Sequence, residues 1–459
     1  MIQTNPKPFL LRRLLLIAWL GTFPILEGLA QVSLKELLEI SLEHYPELEA
    51  KRLESEAAKS QVAYERTDFV PKLNASYQAN YATSNNITGM FLPGQVMPIS
   101  GPPSIENTND MVYGSAAALL MHWSPITFGK RSSRIQSARE GQALTDANQE
   151  LTEFEHQIRF VQAYLEFWEA KSRQVALEKD LERYTFNLKL SRSLVLNGIR
   201  PGVDSAQYRT LRAKSSIAVL KAKNETISKA ERVKELLGTE DWQQTTDPGL
   251  EEVIRVFPHQ PSHLHPLLAR QQQNTAFAQA EKTRFSRDIL PDFLIWGTGF
   301  ARGSAINFDG TFDRPEDGLS FSRYNYGLGF QISFPLLQFA QNRHQVRKQA
   351  YKVAASEAYE RQVELAIDKE MAIAMATLEN AMEAAQLSPD YVQDADFVYQ
   401  ALQARYDAGL INLSELLQGQ FDLASAEAED IQIRSEMWKA LLYYAAVNGN
   451  LELFIQFLN

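Results

Sequence analysis

The chain has no cysteine among its 459 residues. Disulfides therefore hold none of it together, a cysteine nucleophile is excluded, and no processed N-terminal cysteine can carry a lipid. Nor does it contain a G-x-S-x-G elbow, an H-E-x-x-H pair or a phosphate-binding glycine loop, so no catalytic constellation or cofactor is expected. Positive charge is not concentrated: 46 Lys and Arg are mixed with 56 Asp and Glu for a net charge of −10. The basic tract that nucleic acid needs is absent. Beyond the first thirty residues no apolar run approaches the roughly 20 residues of a membrane-crossing helix, and mean hydropathy is −0.29. If this chain enters a membrane, it does so with strands.

The first thirty residues differ from the rest. Lys7, Arg12 and Arg13 precede the run LLLIAWLGTFPIL, and Gly28 and Ala30 follow. This is the layout of a secretory signal over residues 1–30, with cleavage expected after Ala30. An uncleaved anchor is the alternative, but Gly21 and Pro24 break the run.

The stretch FVPKLNASYQANY alternates strictly after its proline: Leu73, Ala75, Tyr77, Ala79 and Tyr81 against Lys72, Asn74, Ser76, Gln78 and Asn80. Period two predicts a strand with one apolar and one polar face. Tyr324, Tyr326, Leu328, Phe330, Ile332 and Phe334 alternate in the same way. Two further strands are predicted near 111–123 and 292–301, where Gly and Ala blur the pattern.

The chain is written twice. HYPELEAKRLESEAAKSQVAYERTDFVPKLNA near His44 matches HLHPLLARQQQNTAFAQAEKTRFSRDILPDFL at His263, and Pro46 to Pro71 has the spacing of Pro266 to Pro291. MHWSPITFGKRSSRI around Pro125 resembles QISFPLLQFAQNRHQV around Pro335, and aligning Gly198 with Gly409 aligns Asp204 with Glu415. The reading is a first repeat over 31–250, with its hairpin at about 72–124, and a second over 251–459, with its hairpin at about 292–334. Pro71 and Pro291 are expected to stop helices. Pro125 and Pro335 are expected in the first turn of the next ones. From about Thr127 to Leu196 no proline intervenes, which predicts roughly 100 Å of helix. The partner run, Leu337 to Asp407, contains Pro389 and is expected to kink there. Leu151, Phe154, Ile158, Val161, Leu165 and Trp168 step by three and four as a coiled-coil seam, continued in the second copy by Met371, Met375, Leu378 and Met382.

Four amphipathic strands cannot close a barrel, and an open sheet edge is not tolerated in lipid. Such a chain must therefore oligomerise. The duplicated helix–hairpin–helix unit, the helix–Pro–strand junctions, and NGIRPGVD with AGLINLSELL resemble the TolC-like outer-membrane efflux proteins over nearly the whole chain after the leader. The resemblance implies a mainly α fold with transmembrane β. Three copies would form a homotrimeric channel-tunnel with a 12-stranded β-barrel in outer-membrane lipid and a long periplasmic α-helical barrel. It implies a passive duct, not an enzyme, working with a periplasmic adaptor and an inner-membrane pump of the RND or ABC type. The alternative is a periplasmic coiled-coil scaffold or adhesin without a pore, which leaves the strands and the duplication unexplained.

The resemblance also points to residues. The helix-tip turns would be 197–204 and 408–415, with Gly198, Gly202 and Gly409 suited to backbone of positive φ. Glu415 matches a family aspartate that forms a charged ring, and Asp204 with Tyr406 matches a carboxylate–phenol link holding the tip shut. Gln418 and Ile411 fall where some members carry an acid and an arginine. Helix capping is the alternative role for Asp204 and Glu415. Read from the residues themselves, GKRSSR after Pro125, with Lys130, Arg131 and Arg134, and NRHQVRK after Pro335 put cations just beyond the strands, where they are expected to face inner-leaflet headgroups at the periplasmic rim, a solvated helix face being the alternative. His259, His263 and His265, and Met90 with Met97, are read as linker and loop residues, not a metal site.

Overall fold

The computed structural model describes residues 33–458 except 84, 86–89, 93–94, 98–105, 199–200, 241, 259–263 and 308. The signal segment, His259 and His263 lie outside the described residues. In the first half, helices α1 (Leu34–His44) and α2 (Pro46–Thr67) precede strands β1 (Lys72–Thr83), β2 (Met90–Leu92), β3 (Gln95–Met97) and β4 (Met111–Trp123). Helices α3 (Lys130–Leu196) and α4 (Gly202–Leu237) follow. The second half runs through α5 (Pro266–Arg287), β5 (Asp292–Ser304), β6 (Arg323–Ser333), α6 (Phe339–Asp407), α7 (Leu413–Val447) and α8 (Glu452–Ile455).

Local chemistry explains the starts of these elements. Ser33 and Glu36 form a reciprocal capping box at α1. Pro46 and Pro266 open α2 and α5, where a missing N–H costs nothing. The helices end at Thr67 and Arg287, a turn before Pro71 and Pro291, and the strands begin directly after those prolines.

Pro125 and Pro335 do not occupy a first helical turn. Helices α3 and α6 begin only at Lys130 and Phe339. In the first case Phe128 and Gly129 take left-handed φ of 50° and 96°, which no helix continues through. In the second, Leu336 and Gln338 donate to the carbonyls of Phe334 and Pro335 in a further turn.

Helix α6 continues through Pro389. The proline leaves the Ala385 carbonyl without its helical donor. The Ser388 hydroxyl lies 3.3 Å from that carbonyl and 2.7 Å from Asp430 Oδ1, sharing its one proton between them.

The four long strands form one antiparallel sheet in the order β1–β4–β5–β6. The central β4–β5 pairing, with Ala117 opposite Ala301, joins the two halves. Registers place Leu73, Tyr77, Tyr81, Leu119, Tyr324, Tyr326, Leu328 and Phe330 on one face, and all are exposed in the single chain. The opposite face carries Lys72, Asn74, Gln78, Thr298, Arg302 and Asn325. Met90 and Met97 are register partners in the small β2–β3 ladder.

The core gathers at mid-height along α3, around Phe160, Tyr164, Trp168, Trp438 and Phe454. Tyr164 Oη donates to the Thr245 carbonyl at 3.1 Å and accepts from Asp247 N at 2.8 Å, while Asp247 Oδ2 accepts from Leu34 N at 2.9 Å. Of the seam residues, Leu151, Phe154, Val161, Leu165, Trp168, Leu378 and Met382 are buried, and Met371 is partly so. Met375 is 46% exposed. At about 100° per residue it lies furthest from the line through its three partners.

Candidate functional site at the helix tips

Two helix hairpins turn at the end remote from the sheet. Helix α3 ends at Leu196 and Gly198 takes φ +70°; α6 ends at Asp407 and Gly409 takes φ +75°. A Cβ at either glycine would meet nothing within 4 Å, so the left-handed backbone, not crowding, selects glycine. After Gly409, Leu410 N donates to the Arg405 carbonyl at 2.9 Å, a Schellman-type closure. Gly202 departs from expectation: it opens α4 without positive φ, so no backbone demand singles it out.

Asp204 and Glu415 are each the third residue of their helices, α4 and α7. Their surroundings differ. Asp204 is buried and its Oδ2 accepts from the buried Tyr406 hydroxyl at 3.2 Å, tying the start of α4 to the end of α6. Tyr208, Leu188, Ile411, Leu413 and Leu416 surround the pair. Burial, reinforced by Tyr406, Tyr399 and Asp204, raises the Tyr208 phenol above its ordinary value, so it stays neutral here. Glu415 is exposed, and Asn412 takes the capping role, its Oδ1 accepting from Glu415 N at 3.0 Å. Among the described residues neither carboxylate makes a side-chain cap bond to its own helix, but both sit in a first helical turn, where negative charge suits the helix dipole.

Further up, Arg183 on α3 reaches Glu427 on α7, with Nη1 3.3 Å from Oε1. Gln420 donates to Asp180 at 3.4 Å, and burial holds Asp180 above the usual carboxylate range. Sequence reading missed this clasp. Its members lie on helices from different halves, and local spacing gives no signal for such a pair.

Where the sheet meets the helices, Lys130 Nζ lies 2.9 Å from both oxygens of Asp292, and Arg131 donates to the Ser124 and Pro125 carbonyls while stacking 5.3 Å over Phe69. These two cations therefore turn inward and not toward headgroups: Lys130 is held by the Asp292 carboxylate, and the Arg131 guanidinium by backbone carbonyls, with its Nε 3.7 Å from Asp68. Arg134 is exposed. His265 Nδ1 accepts from Leu267 N and its Nε2 faces the Ala446 carbonyl, so both ring nitrogens are occupied as a helix cap. No metal-binding group of three or more His, Asp or Glu occurs among the described residues.

The fold thus defines a class: a chain with an open, apolar-faced antiparallel sheet at one end and two very long helical hairpins at the other. The sequence model of the outer membrane efflux proteins matches residues 37–239 and 267–446, and the chain belongs to that family. It is 22% identical to protein CyaE of Bordetella pertussis over 444 residues, 93% of this chain and 86% of the relative. Its fold matches CusC with a TM-score of 0.73 at 15% identity, covering 92% of each chain. It also matches the open state of the Neisseria gonorrhoeae MtrE outer membrane channel, with a TM-score of 0.71 at 15% identity over 91% of this chain and 89% of that one.

Proposed function

We propose that three copies of this chain form a passive outer-membrane duct that conducts solutes handed on by an inner-membrane pump through a periplasmic adaptor. One observation carries the reading. The apolar face of the sheet is exposed, and both edges, β1 and β6, lack a partner strand among the described residues. In lipid such edges have to pair, and head-to-tail closure with further copies pairs them. Exposed Ile217, Leu220 and Ile227 on α4, with Tyr359, Leu365 and Phe397 on α6, supply apolar surface for neighbouring copies along the helical tube.

In this reading Asp204 and Tyr406 hold the tip closed, and exposed Glu415, repeated by symmetry, attracts cations to its mouth. The division into repeats near residue 250 follows the equivalence of the two hairpins. The test is single-channel recording in planar bilayers from detergent-extracted protein. Discrete steps with cation preference, altered in Glu415→Ala, are expected. Well-folded helical protein that stays soluble without detergent and gives no steps would overturn the duct and favour a scaffold.

A further inference from the structure

At the end of the sheet remote from the helices, Arg302 on β5 and Arg323 on β6 stand directly opposite each other. Their alternation puts them on the face of Lys72, Asn74, Gln78 and Asn325, the polar face that would line the pore. Like charges directly opposite on one face repel. Among the described residues no carboxylate offsets the pair.

Among the described residues, neither arginine has an ion-pair partner; Arg323 donates to the Ser322 carbonyl and Arg302 lies 5.8 Å from the Phe300 ring centre. The loop acids nearby are otherwise engaged or exposed. Asp309 accepts from Thr311, Asp313 from Asn307, and Asp317 pairs with Arg314 at 3.6 Å. Glu316, Glu106 and Asp110 are exposed and pair with neither arginine. Moreover, the second loop folds over the opposite face: Ser115 Oγ donates to the Gly318 carbonyl at 2.8 Å, and Phe321 packs edge-on to Tyr77 at 6.3 Å. The stretches outside the description within the first hairpin loop contain no Asp or Glu. On the polar face of the sheet Asp292 is the carboxylate, and it sits at the far end, held by Lys130.

We infer that Arg302 and Arg323 form an oxyanion-binding subsite at the outer mouth of the pore, suited to phosphate-bearing or otherwise multiply anionic solutes. The inference rests on the duct reading above. About ten residues of strand separate Arg302 from the helix junction, roughly 34 Å along the strand, which reaches the outer interface of a tilted barrel. Closing the barrel from several copies would repeat the pair around the mouth. Guanidinium forks there would bind oxyanions by paired charge-assisted hydrogen bonds. The pore would then carry acid at the tip and base at the exit.

The test is sided block of channel current by inorganic tripolyphosphate in bilayers of neutral lipid. Block from the barrel side is expected. It should weaken by about tenfold for each arginine removed in Arg302→Gln, Arg323→Gln and the double variant, and persist in Arg302→Lys. Equal block from both sides, or unchanged block in the double variant, would overturn the subsite. Block that depends on the arginines only when the barrel-side leaflet holds anionic lipid would assign them to lipid phosphate and also overturn it. Absence of channels from the unmodified protein would remove the duct reading, and this inference with it.

Discussion

Lys130 Nζ lies 2.9 Å from both carboxylate oxygens of Asp292, so the first residue of α3 in one half grips the first residue of β5 in the other. The lysine side chain is 9% exposed and the aspartate 56%. That asymmetry decides what the pair contributes. The lysine has surrendered its water and depends on the aspartate; the aspartate still has solvent. The contact fixes where the strands leave the helices, at the point where β4 and β5 join the halves.

Removing the two partners should therefore have unequal effects. Asp292→Asn leaves a buried ammonium without its charge partner and should cost about 1–3 kcal/mol. Lys130→Met removes the charge together with its desolvation and should cost less than about 1 kcal/mol. Thermal unfolding in detergent, followed by helical circular dichroism, would check the order; an equal or reversed ranking would show that the aspartate does not serve a buried lysine.

His156 should make the protein acid-sensitive. Its ring is fully buried, stacks on Tyr45 at 4.2 Å, and neither nitrogen has a hydrogen-bond partner among the described residues. Burial first, then the charge of Arg159, lowers its pKa to about 4, against a smaller opposing effect of Glu47. The unfolded chain has the ordinary value of about 6.5, so acid favours unfolding. The stability is fully present above that value and is lost as pH falls toward about 4, at most about 3 kcal/mol. His156→Phe keeps the stacking and should flatten the fall in melting temperature between neutral pH and about pH 5. An unchanged slope would place the acid sensitivity elsewhere.

The architecture was legible because it rests on periodic signals. Strict alternation from Lys72 to Tyr81 can hardly be anything but a half-apolar strand, and the proline-free run before Leu196 has no other stopping point than its glycine turn. The recurring sequence pattern doubled each signal, so the blurred strand expected near 292–301 could be placed from its counterpart. Apart from the Asp204–Tyr406 link, to which the resemblance pointed, pairing between halves stayed hidden. A lysine followed by an arginine after a strand looks like a headgroup contact until folding brings Asp292 beside it. Arg183 and Glu427 look like ordinary surface charges on separate helices. At the tip the sequence placed Asp204 and Glu415 at equivalent positions, but not the difference between a buried and an exposed carboxylate, which depends on Tyr406 lying across from only one of them.

Gly318 should be intolerant of any side chain. A Cβ there would fall 1.7 Å from the Tyr113 carbonyl oxygen, which is fixed backbone of β4. Gly318→Ala should lift the second loop off the apolar face, cost about 1–3 kcal/mol, and break the Ser115 bond to the Gly318 carbonyl. Chymotrypsin should then cut more rapidly at Phe312 and Phe321, with helical signal unchanged. Equal cutting rates would mean that the loop does not rest on the strands.

The link between Asp204 and Tyr406 gives the sharpest test of tip control. Their bond is 3.2 Å long, both side chains are buried, and they belong to different hairpins. Tyr406→Phe keeps the ring in its apolar setting and removes one hydrogen bond to a carboxylate, about 1.5–3 kcal/mol. Asp204→Asn keeps an acceptor but replaces the charge, so its effect should be smaller. If the link restrains opening, Tyr406→Phe should raise open probability in planar bilayers by about tenfold or more, and the double variant should add little to it, since both changes act on the same bond and Tyr406→Phe alone already removes it. If the link only braces the hairpin turn, open probability should stay constant while thermal stability falls. Additive effects of the two changes on opening would show that each residue acts through other neighbours, and would remove the pair as a latch.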